Sequence, residues 1–596
     1  MNIKNIGKKL IKEDFLFLSS FILFFLISQY IFFDYLFFHK INNLFLWFYF
    51  FVFGLIFFVC KIKNLNYFYF ISIIFLFVGG IVSYKYTQSL MAFFLYGLFF
   101  IFLITGQIYN IKKYNKQFNY SGLYSKQYAF SPIIYVFFVI AAIIFLLFPF
   151  IMREFFWIVY NSASELRWFI PLRHLGIGGN DVPGAPFNDY KDIIFSIIFF
   201  ILIIIFNYFV FKNKIKNELI ILIFLIIFAF IGKIVILKLA TNDLITLELK
   251  ISSAWDNAYH FYAKKINNIY EFIANYINDY QKSNTSHLKG HPVLATVFYW
   301  LICKFITCVP IKVGYIIALF TSLNVIPIYY ITKSIINNRP AAYTAALFYL
   351  LTPNSLILSC AGIDSVVLLF FSYSIMFFIM GITKEKLIFA FIAGLFFGIG
   401  TYISFGIWIL LLVVFGIYFV YKRINSENMF DIFKYNIIFL LGIIIFHIIF
   451  ILLTGSKYNY LDSFKVAQLT IRDVANRPYT LWWWANFIHW SEYASAGIIV
   501  LYLIRFWYAF TGKIKMDFYS LISIAIVSIL LFACMGRAEQ HRQWMFLILL
   551  IIPVSIIPLM EKVNNKLNIK MLYVNIFSFL IFLNTVILEI FVTDTN

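Results

Sequence analysis

Long apolar runs separated by short polar connectors dominate this chain. Runs near residues 15 to 33, 43 to 60, 67 to 84, 89 to 109, 131 to 151, 192 to 211 and 219 to 240 approach or reach the length of a membrane span. At 1.5 Å per residue, about 20 apolar residues cross a hydrocarbon core of roughly 30 Å as a helix. Further runs follow at 313 to 332, 341 to 359, 363 to 382, 436 to 454, 497 to 512, 518 to 535, 543 to 560 and 571 to 592, and the stretch 387 to 421 is long enough for two. The pattern predicts an all-α, polytopic integral membrane protein with roughly sixteen transmembrane helices.

The connectors alternate in charge. Those at Lys61 to Lys63, Lys112 to Lys126 and Lys212 to Lys216 are basic and belong in the cytoplasm by the positive-inside rule, which places 152 to 190 and 241 to 291 outside. Lysines in residues 1 to 14 precede an apolar run without a small-residue cleavage site, so the N-terminus is expected in the cytoplasm, ahead of an uncleaved first span. Crossing parity then raises a conflict. If 241 to 291 is outside and the Lys333 to Arg339 connector is inside, the runs 292 to 309 and 313 to 332 cannot both cross. The run 292 to 309, which follows His291 and contains Lys304, is expected to be re-entrant or interfacial. Onward alternation puts the turn Pro353 to Gly362, the loop 455 to 494 and the segment Gly536 to Gln543 on the outer face.

Within the 241 to 291 loop, Tyr262, Ile266, Ile269, Ile273, Tyr276 and Tyr280 recur at alternating steps of four and three. That spacing predicts one amphipathic helix lying in the interface, with Lys264, Lys265, Asn267, Asn268 and Asp279 on its other faces. The 152 to 190 loop gathers Gly176, Gly178, Gly179, Pro183, Gly184 and Pro186, a turn-rich lid or spacer. The break at 212 to 218 divides an N-terminal membrane region, 1 to 217 with about six spans, from a module at 218 to 596 with outer loops 241 to 291 and 455 to 494.

Composition agrees with this reading: of 596 residues, 63% are hydrophobic and 12% charged, against an apolar share of roughly 45–50% in soluble domains. The net charge of +21 is spread through short connectors, which serves orientation and excludes a nucleic-acid patch. The five cysteines, Cys60, Cys303, Cys308, Cys360 and Cys534, fall in apolar segments without metal-ligand spacing or a disulfide framework. Walker A, Rossmann-glycine, paired CxxC and HExxH patterns are absent, and Asn284-Thr285-Ser286 is a glycosylation sequon on the expected outer side.

Three polar groups are expected on that side: Asp256 with His260, Asp364 at a span mouth, and Arg537, Glu539, His541 and Arg542 between two spans. Ionisable residues retained at span mouths are functional candidates by default, since burial in the bilayer is costly. Asp256 and His260, four apart, would share one helix face; Asp256 and Asp364 would otherwise serve as N-caps. Arg537 and Arg542 suit a lipid phosphate, which guanidinium groups bind bidentately, or an ion pair with Glu539. The outer loop also carries Arg472, Arg477-Pro478-Tyr479 and Trp482-Trp483-Trp484, either interfacial anchors or a stacking surface.

Over about residues 218 to 560 the chain resembles the GT-C superfamily of integral membrane glycosyltransferases, the group of protein O-mannosyltransferases and lipid A aminoarabinose transferases. Asp256 stands where that family has its first-loop acidic residue, ahead of the interfacial stretch 262 to 280 and His291-Pro292. The run Arg339-Pro340-Ala341 through Pro353 and Asp364 is similar to the family's basic connector, small-residue span and second acidic residue. Arg537 to Phe546 resembles an Arg-Gly-Glu-x-x-Arg-x-Trp-x-Phe motif, with Ala538 in place of the glycine, and Asn257 stands where many members have Glu. The resemblance implies a polyprenyl-phosphate (dolichyl-phosphate-type) sugar donor and a lipid, glycan or protein acceptor on the extracytoplasmic face of the plasma membrane. It implies Asp256 as general base, Asp364 and His260 beside it, Arg537 and Arg542 on the donor phosphate, and Glu539, His541, His291 and Arg477 as orienting groups. It fixes no cofactor and assigns no metal ligand, while allowing a divalent cation. The alternative reading of the residues is a transporter or flippase of lipid-linked saccharides, which also needs many spans and cations for phosphate.

Overall fold

The computed structural model describes Leu98 and residues 190–591 except 241–244, 253–257, 283–286, 361, 412, 418–428, 475–489, 511–517, 534–544 and 561–566. Apart from Leu98, the five predicted spans before residue 152 and the loop up to 189 lie outside the described residues. In chain order the helices are α1 (Tyr190–Phe211), α2 (Glu218–Ala240), α3 (Ile245–Ser252), α4 (Ala258–Ala263) and α5 (Ile269–Asn275), the last continued by a π turn at Tyr276–Gln281. There follow α6 (Leu294–Phe305), α7 (Pro310–Ser322), α8 (Val325–Ile336), α9 (Arg339–Leu351), α10 (Pro353–Leu356), α11 (Ile363–Thr383), α12 (Leu387–Thr401) and α13 (Met429–Leu453). The remainder comprises α14 (Tyr460–Val474), α15 (Ala496–Phe510), α16 (Phe518–Ala533), α17 (Leu547–Met560) and α18 (Leu567–Phe591). No strand occurs among the described residues.

Six stretches among these residues are long and apolar enough to cross a bilayer: Lys191–Phe211, Glu218–Leu239, Pro310–Ile336, Ile363–Thr383, Lys434–Leu453 and Lys570–Glu589. Several runs expected to span form shorter helices, of 13 residues in α9, 15 in α12 and α15, 16 in α16 and 14 in α17. At 1.5 Å per residue these measure about 20 to 24 Å, less than a full core. Apolar composition continues past the point where the backbone turns. After α9, for example, Thr352 adopts an extended conformation, its hydroxyl accepts from the Ser355 amide at 3.3 Å, and Pro353 opens α10.

Burial separates centre from periphery. Every side chain of α9 from Ala341 to Leu351 is buried, as is every one of α17 from Leu547 to Leu559. α9 packs against α2, α8, α17 and α18, so its small residues Ala341, Ala342, Ala345 and Ala346 let neighbouring backbones approach. α1, α2 and α13 instead keep exposed rows such as Ile194, Ile198 and Ile205, Ile220 and Ile227, and Ile437, Ile444 and Ile448, the faces expected to meet lipid.

The two ends of the bundle differ. At one end Lys333 Nζ pairs with Glu218 at 2.6 Å, and the Arg339 guanidinium donates to the Ile215 carbonyl and to Asn213 Oδ1, joining the connectors 212–217 and 333–339. At the other, a second apolar core collects Leu247 and Ile251 of α3, Ala258 and Tyr259 of α4 and Phe272 of α5. It also takes in Ile363 and Val366 of α11, Tyr402, Ile403, Phe450 and Tyr458. Among the described residues, the helices of the 241 to 291 loop, the start of the 455 to 494 loop and the mouth of α11 therefore pack into one cluster.

Candidate functional site

The interfacial stretch is two helices rather than one. α4 ends at Ala263, where the Lys264 amide donates to the His260 carbonyl at 3.2 Å, and Asn268 starts α5 by accepting from the Tyr270 and Glu271 amides at 3.0 and 3.4 Å. The apolar stripe survives the break: Ile273 and Tyr276 are buried, and Tyr262, Ile266, Ile269 and Tyr280 pack against the same core. Lys265 Nζ covers the Phe261 ring at 3.8 Å from its centroid, its charge facing out. A period of 3.5 registers which face is apolar, but an asparagine in mid-pattern that caps a new helix leaves that period intact.

His260, His291 and Asp364 are the predicted site residues that the structure describes. Asp256, Arg477, Arg537, Glu539, His541 and Arg542 lie outside the described residues, as do Trp482 to Trp484 and the sequon. His260 on α4 is fully buried, and its Nε2 faces Cys308, 3.3 Å from the carbonyl oxygen and 3.9 Å from Sγ. Burial lowers its basicity and the nearby Lys264 charge lowers it further, against the raising effect of the Cys308 and Ile251 carbonyls. His291 Nδ1 lies 3.1 Å from the Ile403 carbonyl and its ring meets Tyr259 edge-on at 5.5 Å. The Tyr276 hydroxyl donates to the His291 carbonyl at 2.8 Å, and the Leu294 amide donates to the Tyr402 carbonyl at 3.0 Å, so the start of α6 is pinned from both sides.

Asp364 is half-buried in the first turn of α11, where a carboxylate is favoured by the helix dipole. The N-cap position is Gly362, without a side-chain cap bond, so the capping role weighed for Asp364 is not the one it plays. Its neighbours Ile363 and Val366 share the apolar core with Ala258, Tyr259 and Ala263 of α4, which puts the mouth of α11 and the helix carrying His260 over the same end of the bundle.

The cysteines correct a sequence expectation. Cys303, in the last turn of α6, and Cys308, just beyond it, form a disulfide with Cα atoms 4.1 Å apart. A spacing of five gave no framework to read, because only the fold of the turn after α6 brings the two together. This corner is flanked by exposed Leu301, Phe305, Ile306 and Val309, apolar side chains suited to the membrane interface. α6 has 12 residues, about 18 Å, far short of a span.

Other polar groups here left no trace in the sequence pattern. Tyr402 Oη lies 2.9 Å from His447 Nδ1, Trp408 Nε1 donates to Tyr460 Oη at 2.6 Å, and Tyr460 Oη donates to the Thr401 carbonyl at 3.1 Å. The Tyr402 ring lies 4.2 Å from that of Phe450 and 4.9 Å from that of Tyr460. Burial pushes the Tyr276, Tyr458 and Tyr460 hydroxyls well above their usual range, so all three remain protonated at neutral pH. The third outer loop is tied in by Gln281, whose Nε2 donates to the Ser463 carbonyl at 3.0 Å while Ser463 Oγ donates to its Oε1 at 2.7 Å. Deeper, Lys233 of α2 is fully buried and donates to the Ala318 carbonyl at 3.0 Å and to Thr321 Oγ1 at 2.6 Å.

Fold and site together define an all-helical protein of the membrane-spanning kind, with short amphipathic helices folded over one end of its bundle. No protein-family model matches the chain, and no curated protein matches it in sequence.

Proposed function

We propose that this protein is a membrane glycosyltransferase of the GT-C type, moving a sugar from a polyprenyl-phosphate donor to an acceptor hydroxyl at the outer face of the cell membrane. The observation that supports this reading best is the shared apolar core that gathers α3 to α6, the mouth of α11 beside Asp364 and the start of the third outer loop at one end of the bundle. In this reading the donor phosphate would sit at this end, among the polar side chains carried by the loop helices and span mouths.

In this reading Asp256 takes the proton of the acceptor hydroxyl as that oxygen attacks the anomeric carbon. The new carbon–oxygen bond forms as the bond to the donor phosphate breaks, polyprenyl phosphate leaves, and the anomeric centre inverts. Arg537 and Arg542 stabilise the departing phosphate. Asp364 stands at that end on α11, His260 of α4 is buried against Cys308, and His291, held by Ile403 and Tyr276, keeps the start of α6 in place.

The reading is tested by assaying purified, lipid-reconstituted protein with a radiolabelled polyprenyl-phosphate hexose and a membrane extract as acceptor source. Transfer by the wild type and its loss in Asp256→Asn, at equal yield and melting temperature, is the expected result. Full transfer by that variant would sink the base assignment. Donor movement across the bilayer with no glycosylated product would replace the enzyme with a flippase.

A further inference from the structure

The Cys303–Cys308 disulfide has a neighbour that a structural staple does not require. A ring nitrogen of His260 and the two sulfurs all lie within 4.8 Å of one another, and the ligands come from separate elements: α4, the last turn of α6 and the turn after it. The imidazole is fully buried and the two cysteines are half-buried.

Geometry suits a tetrahedral ion. With metal–sulfur and metal–nitrogen bonds of about 2.3 and 2.0 Å, sulfur–nitrogen edges of a tetrahedron come to about 3.5 Å and sulfur–sulfur edges to about 3.8 Å. Nε2 already stands 3.9 Å from Cys308 Sγ. Reduction frees the sulfurs, since two thiols no longer held at bonding distance move apart by rotation about χ1. The fourth position would take water.

We propose that Cys303, Cys308 and His260 form a redox-gated site for a thiophilic divalent cation of the zinc class. A dithiol donor opens it: the disulfide gains two electrons and two protons, and the donor leaves as its own disulfide. The cation then binds both sulfurs and His260 Nε2, releasing the two thiol protons. Reoxidation by a disulfide-bearing oxidant removes two electrons from the thiolates, reforms the sulfur–sulfur bond and expels the cation. Two thiolates with one imidazole select soft or borderline ions over magnesium or calcium. The inference does not depend on the transfer reaction.

The test uses the full-length protein in detergent, reduced with a phosphine and desalted without oxygen, then titrated with Co2+ as a spectroscopic probe. Reduced wild type should bind one Co2+ per chain with a thiolate-to-cobalt charge-transfer band that Zn2+ abolishes, and the oxidised protein should show none. Cys303→Ser/Cys308→Ser, which keeps Cys60, Cys360 and Cys534, should lose the band. His260→Gln should weaken binding by more than the roughly 10–100-fold that loss of an outer-shell partner costs. His260→Cys, which supplies a third thiolate, should restore it. No band in the reduced wild type, an unchanged band in the double serine variant, or equal affinity in His260→Gln would each overturn the proposal.

Discussion

His260 shows how far a single side chain departs from what its place in the sequence suggests. Four residues after Asp256 it reads as a partner on one helix face, but the fold buries it against Cys308. Its proton affinity falls with burial, so the unfolded chain binds a proton near pH 6.5 where the folded protein does not. Stability from this residue is complete above that pH and is lost as pH falls through the lower folded value. Melting curves at pH 7.5 and pH 5 should therefore differ more for wild type than for His260→Gln; equal differences would contradict the assignment. Lys233 is the other case, a lysine buried in a span and held by Thr321. Thr321→Val should cost about 1–3 kcal/mol in thermal or SDS unfolding, because it strips an acceptor from a buried donor. In a Lys233→Met background the same change should cost less, and equal costs in both backgrounds would show that the two side chains are not coupled. Neither environment was legible in the sequence, since Ala318, Thr321 and Cys308 reach these side chains only through tertiary packing.

Among the elements, long spans were the most legible, because an uninterrupted apolar run of sufficient length has one economical conformation in a bilayer. α1, α2, α11 and α18 begin and end within a few residues of the expected runs. Elements misread from sequence are those where a backbone break carries no hydropathy signal: the Lys264–Asn268 turn between α4 and α5, and the end of α9 at Thr352. Packing between elements depends on still smaller features. α12 and α13 cross with Gly394 against Gly442; a Cβ on Gly394 would run into the Phe439 carbonyl oxygen, and one on Gly442 into that of Phe391. These obstacles are backbone atoms and cannot rotate away. Gly394→Ala should thus destabilise the protein by about 1–3 kcal/mol, the usual cost of overpacking, seen as a lower melting temperature. The exposed Gly406, where an added Cβ meets only the Ser404 hydroxyl at 3.6 Å, is the control and should tolerate alanine.

At the scale of the whole molecule, the two bundle ends carry the sidedness argument. The connectors at 212–217 and 333–339 touch through Lys333, Glu218, Arg339 and Asn213, and the loop helices gather at the other end with Tyr402 and Tyr458. In a cysteine-free background, Lys214→Cys and Lys457→Cys, both at exposed positions, should react oppositely with an impermeant maleimide in right-side-out vesicles. Labelling of 457 but not 214 is expected, and labelling of both from one side would undo the orientation. Chain-local hydropathy and charge set a helical membrane protein, the apolar stripe of the interfacial region and the grouping of basic connectors, so these are legible without the fold. Tertiary structure alone decided that α9 and α17 are central, that Asn268 splits the interfacial helix, and that His260 meets a Cys303–Cys308 pair. Each of those depends on contacts between residues that the sequence leaves apart, and on backbone breaks to which hydropathy is blind.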